Sequence, residues 1–146
     1  MLDKYTVILF LSLLSLGCSE DDELVNETLL GSWELVNYYN EATDEINKPP
    51  SGSDPISITF EETDFQGSTG RNNFFGDYNS ELNDLSFVSF VGTEIVESEW
   101  GTLFFQTIAS TYDSEEELFV MKFNIENNLL IIEYNQSRFM RFRAIR

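Results

Sequence analysis

Histidine is absent from this sequence of 146 residues, and cysteine occurs once, as Cys18. Without imidazole the chain lacks the commonest general base, the commonest metal ligand and every Ser-His or Cys-His nucleophile. It carries neither a glycine-rich phosphate cradle nor a dinucleotide fingerprint. Its 26 Asp and Glu residues include candidates for the paired acids of glycoside hydrolysis. No spacing singles out such a pair, and carboxylates this abundant are ordinarily a solvated face. Asp113-Ser114-Glu115-Glu116-Glu117 offers oxygen ligands of the kind calcium takes but lacks the EF-hand pattern, so a solvated loop is expected. Trp33 and Trp100 are residue types that line ligand pockets, yet each falls on a stripe expected to face the core. The reading is a protein that is not an enzyme, with no catalytic residue, no metal and no cofactor.

The chemistry that remains belongs to Cys18. Lys4 precedes an apolar run from Val7 to Leu16, too short for a bilayer-spanning helix of about 20 residues but suited to the apolar region of a signal peptide. Ser15-Leu16-Gly17-Cys18 closes that run and resembles a bacterial lipobox, although Leu16 stands where a small residue is commoner. The resemblance implies cleavage before Cys18, diacylation of its thiol in a thioether, and a lipid-anchored mature chain. Residues 1–17 are thus expected to be a lipoprotein signal peptide and residues 18–28 a flexible acidic tether. Ser19-Glu20-Asp21-Asp22-Glu23 resembles the export signal of surface-exposed outer-membrane lipoproteins. It equally suits a solvated tether extended by self-repulsion.

The elements that follow must form one domain, residues 29–146, long enough to bury a core without staples. Hydrophobic residues make up 42% and include 13 Phe, which excludes a wholly disordered chain. The formal charge is −18, so a phosphate backbone is repelled and no nucleic-acid partner is expected. Strands are predicted at 29–39, with Trp33, Leu35 and Asn37 on one face, and at 56–60, 65–69, 77–80 and 85–91. Asn40 to Pro55 holds all three prolines and reads as a long loop. A helix is predicted over 97–111, capped by Ser98. Its apolar stripe is Val96, Trp100, Leu103, Phe104, Thr107, Ile108, Thr111 and Tyr112. Strands return at 119–125, 129–134 and 138–145, the first two joined by a type I′ turn at Asn127-Asn128. The fold class is mainly β: a small antiparallel barrel or roll of about seven strands with one amphipathic helix packed against it. Its bulky inward residues leave little room, which predicts a filled interior.

The most individual stretch is Gly70-Arg71-Asn72-Asn73-Phe74-Phe75-Gly76-Asp77-Tyr78, in which Asn72 and Asn73 are expected to serve the turn. With Gly31-Ser32-Trp33 upstream, Glu99-Trp100 in the helix, Asn127-Asn128-Leu129 and a final Met140-Arg141-Phe142, it resembles the META domain of bacterial envelope lipoproteins. Arg71 stands where many members have Cys, so the family disulfide is impossible here. The resemblance implies a stress-related envelope lipoprotein, of a kind linked to heat shock and drug tolerance, with no agreed biochemical activity. Gly31-x-Trp33 in a first strand is also a lipocalin feature. Two readings follow. One is a structural or protein-interaction module, anchored to the membrane by its lipid and facing an envelope protein partner. The other is a lipocalin-like binder of a small apolar ligand.

Overall fold

The computed structural model describes residues 28–145. The predicted signal peptide, Cys18 and almost all of the tether lie outside these residues. Eight strands close on themselves: β1 (Gly31–Asn40), β3 (Ser57–Phe60), β4 (Asp64–Ser68), β5 (Asn73–Glu81), β6 (Asp84–Phe87), β9 (Leu118–Glu126), β10 (Leu129–Asn135) and β11 (Arg138–Ile145). Each pairs antiparallel with its neighbour in the chain, and β11 returns to pair with β1. This up-and-down order removes every free edge from the barrel wall, which suits a domain without disulfides. Three short strands are added outside the ring: β2 (Glu45–Asn47) on β1, β7 (Val91–Gly92) on β5 and β8 (Tyr112–Asp113) on β9. Among the described residues the expected barrel and one helix are present, with more strands than the seven foreseen.

Alternation places Trp33, Ile58, Phe60, Phe65, Phe74, Leu85, Phe87, Met121, Ile132, Met140 and Phe142 inside, all but fully buried. Their rings interlock, Phe65 on Phe87 at 4.2 Å and Phe60 on Tyr78 at 5.1 Å. Gly67 and Gly76 make space for this packing: a Cβ on Gly67 would collide with the Phe74 ring, and one on Gly76 with the Ser89 carbonyl. Trp33 closes the end of the barrel remote from the helix, its Nε1 donating to Leu29 O at 2.8 Å.

Helix α1 (Glu99–Ala109) covers the other end. Ser98 is its N-cap, accepting from Gly101 N at 3.0 Å, as its side chain and position predicted. Phe104 reaches Phe74 on β5 at 5.1 Å, and Trp100 reaches Tyr38 on β1 at 5.2 Å. Those strands lie on different sides of the ring, so the helix bridges the opening. Val96 and Tyr112 do not belong to its stripe; both flank the helix and are exposed.

Four other departures have local causes. A bulge between Leu35 and Asn37 shifts the alternation of β1, so Tyr38 points inward and Asn37 does not. The predicted loop from Asn40 to Pro55 turns back at Asp44 (φ 55°) to form β2. The predicted strand 85–91 is divided into β6 and β7, because the Val88 and Ser89 amides both turn to Asp77 O. Strand β5 starts at Asn73, so Phe74 and Gly76 belong to the wall rather than to the turn. The Asn127-Asn128 hairpin is as expected, with positive φ at both residues.

Candidate functional site

The residues singled out in the sequence do not converge. Trp33 and Trp100 are buried at opposite ends of the barrel, in the core as expected. Asp113 Oδ1 accepts from the amides of Glu115 and Glu116, so this acidic stretch is an exposed turn that holds itself together. Among the described residues no three His, Cys, Asp or Glu side chains gather where an ion could be held.

Asn72 does more than serve a turn. Its buried carboxamide accepts from Ile95 N and Thr93 Oγ1, both at 2.8 Å. It donates to Ile95 O at 2.8 Å and to Glu97 Oε2 at 2.7 Å, which uses its full capacity. Thr69 Oγ1 donates to the same carboxylate oxygen at 2.6 Å, and Ser98 N to Glu97 Oε1 at 2.8 Å. Desolvation would raise the Glu97 pKa, but these donors outweigh it and hold the carboxyl below its ordinary value. The network ties the β4–β5 turn to the segment that leads into α1. With every member satisfied, it positions the helix and offers nothing to a ligand.

A groove of about 490 Å³ lies at the end that the helix covers, within the size range of small-molecule sites. Tyr38, Tyr39 and Asn40 from the end of β1 line it, with Glu45, Ile46 and Asn47 of β2, Leu103 of α1, and Tyr134 and Arg138 from the β10–β11 hairpin. Tyr38 and Tyr134 meet edge to face at 6.0 Å. Arg141 stacks its guanidinium 3.9 Å above the Tyr39 ring, on the outer face of the same strands. Tyr38 is buried, and its hydroxyl and the Trp100 Nε1 have no hydrogen-bond partner, as buried polar groups ordinarily do. Burial therefore drives the Tyr38 hydroxyl well above its ordinary pKa, with Thr107 as the neighbour that opposes the rise. Tyr134 is raised for the same reason and drawn back by the Arg138 charge.

Further open clefts of about 440 and 330 Å³ lie along β4–β5 and between α1 and β7. None of these three clefts is lined by Trp33, Ile58, Phe60, Phe87, Met121 or Phe142. The inside of the barrel is packed with these buried side chains, and the three clefts lie on its end and flanks. Sequence reasoning did not find the groove, because Ile46 fell in a predicted loop and Tyr38 on the solvent side of a strand read without its bulge.

The fold has solved counterparts. A protein from Burkholderia xenovorans, determined by NMR, is similar with a TM-score of 0.59 and 18% identity, over 84% of each chain. A duf4847 family protein from Bacteroides vulgatus gives 0.55 and 13%, over 83% of this chain and 94% of that one. An uncharacterized protein from Bacteroides eggerthii gives 0.52 and 13%, over 81% of this chain and all of the other. At these identities the likeness concerns the barrel alone, and none of the three is named for a META domain. No family model matches the chain, and no curated protein matches it.

Proposed function

We propose that this chain is a cell-envelope lipoprotein, anchored through Cys18 at the outer membrane with its domain displayed from the acidic tether. Its barrel serves as a binding module that takes a small molecule in the groove between Tyr38, Tyr134 and Leu103. The observation that carries the ligand reading is the groove itself: ligand-sized, walled by Tyr38, Tyr39 and Tyr134, and bordered by the exposed Arg138. This favours recognition of a small molecule over a purely structural role, and moves the expected ligand from the barrel interior to its end. The envelope reading is supported by the leader, by the lone cysteine that follows it, and by the resemblance to META-domain lipoproteins.

Two acyl chains give stable attachment where one gives only marginal binding. Cys18→Ala should therefore release the mature domain into the soluble fraction, and a variant that resists a high-salt wash of the membranes would refute the anchor. For the groove, ligand-observed NMR of the full chain against a panel of small aromatic and aliphatic compounds should give hits that Ile46→Asp abolishes. Hits that survive this change would place binding elsewhere on the barrel.

A further inference from the structure

Arg138 lines the groove in a chain with 26 acidic residues. Among the described residues it nevertheless forms no ion pair; those pairs are Lys122 with Asp84 and Arg143 with Glu34, both elsewhere on the wall. Glu45 borders the same groove and does not reach it. An exposed guanidinium without a carboxylate thus stands beside the Tyr38–Tyr134 pair, close enough for its charge to act on the Tyr134 hydroxyl.

We propose that the groove takes a small planar monoanion, an aromatic carboxylate of one or two rings, with its carboxylate on Arg138 and its rings against Tyr38, Tyr134 and Leu103. This rests on the groove being a ligand site, as proposed above. The guanidinium fork matches a carboxylate with two parallel hydrogen bonds, which an ammonium cannot do. Aromatic walls favour a flat apolar body, and the volume of about 490 Å³ holds one or two rings. The net charge of −18 sharpens the choice. A cation is attracted over most of this surface and gains nothing particular here, whereas an anion is admitted only where a local cation offsets the field. Glu45 beside the groove disfavours a second negative charge, so the ligand carries one.

The experiment is equilibrium dialysis of the full chain against 2-naphthoate and its neutral counterpart, 2-naphthalenemethanol. Naphthoate should bind saturably, one per chain, and at least about tenfold tighter than the alcohol, as a hydrogen bond to a charged group implies. Arg138→Gln should remove that advantage and leave the alcohol unchanged, and Ile46→Asp should weaken both. Both side chains are exposed, so neither change threatens the fold, and matching circular dichroism spectra confirm that it is intact. Equal binding of the two compounds, indifferent to Arg138→Gln but lost in Ile46→Asp, would keep the groove as a site and overturn its preference for anions. Absence of saturable binding, or binding indifferent to Ile46→Asp, would overturn the groove itself.

Discussion

The Asn72 carboxamide donates to the Glu97 carboxylate at 2.7 Å, across a gap of 25 residues. This contact holds the β4–β5 turn against the entry to α1, and through the helix it sets the position of Trp100. Asn72→Ala would leave Ile95 N and a carboxylate oxygen short of partners in a partly buried place. Such losses cost about 1–3 kcal/mol for each unsatisfied group. Chemical denaturation should show a loss of at least about 2 kcal/mol on that scale, and a smaller one would mean that water replaces the amide.

Glu97 also predicts a pH dependence. Its folded pKa lies below its ordinary value, so its contribution is complete above the unfolded pKa and fades as pH falls through the folded one. Stability should decline below about pH 4.5, the ordinary value for this group. Glu97→Gln should flatten that part of the profile, measured by urea midpoints from pH 6 to about 3. An unchanged slope would assign the acid sensitivity to other carboxylates.

Tyr38→Phe removes a buried hydroxyl that has no partner while keeping the ring contacts with Trp100 and Tyr134. Deleting such a group relieves its desolvation, so stability should stay level or rise by about 1 kcal/mol. A loss of that size instead would show that the hydroxyl is engaged with Thr107.

Trp100→Ala empties the space between α1 and Tyr38 and should cost about 3–5 kcal/mol, as for other buried aromatics. Trp100→Phe keeps a ring there and deletes an N–H without a partner, so it should lose clearly less. Thermal unfolding of the two variants makes the comparison. Equal losses would mean that the indole nitrogen, rather than ring volume, matters.

Leu82 sits in the β5–β6 turn with φ 54° and is 89% exposed. Neither packing nor conformation favours leucine there. A two-residue turn with positive φ at its first position accommodates glycine best. Leu82→Gly should therefore raise stability by about 1 kcal/mol, the order of the left-handed penalty for a residue with a Cβ. An unchanged melting temperature would indicate that the turn relaxes in solution.

What the sequence determines alone is whatever depends on neighbours along the chain. Alternating side chains place Ile58, Phe60, Met121, Met140 and Phe142 on inward faces, because a strand's period of two needs no partner to be read. Asn127-Asn128 sets its own hairpin through its tolerance of positive φ, and Ser98 caps its own helix. Tertiary structure decides the rest. Closure of β11 on β1 joins residues 98 to 113 positions apart, from Asn40↔Arg138 to Ser32↔Ile145, and the bulge at Leu35/Asn37 that turns Tyr38 inward exists only against those partners. Asn72 becomes a hub only when residues 93–97 arrive beside it. The groove is assembled from the ends of β1, β2, α1 and the β10–β11 hairpin, and no local pattern links Tyr38, Ile46, Leu103, Tyr134 and Arg138. They meet because the barrel closes and one helix covers its opening.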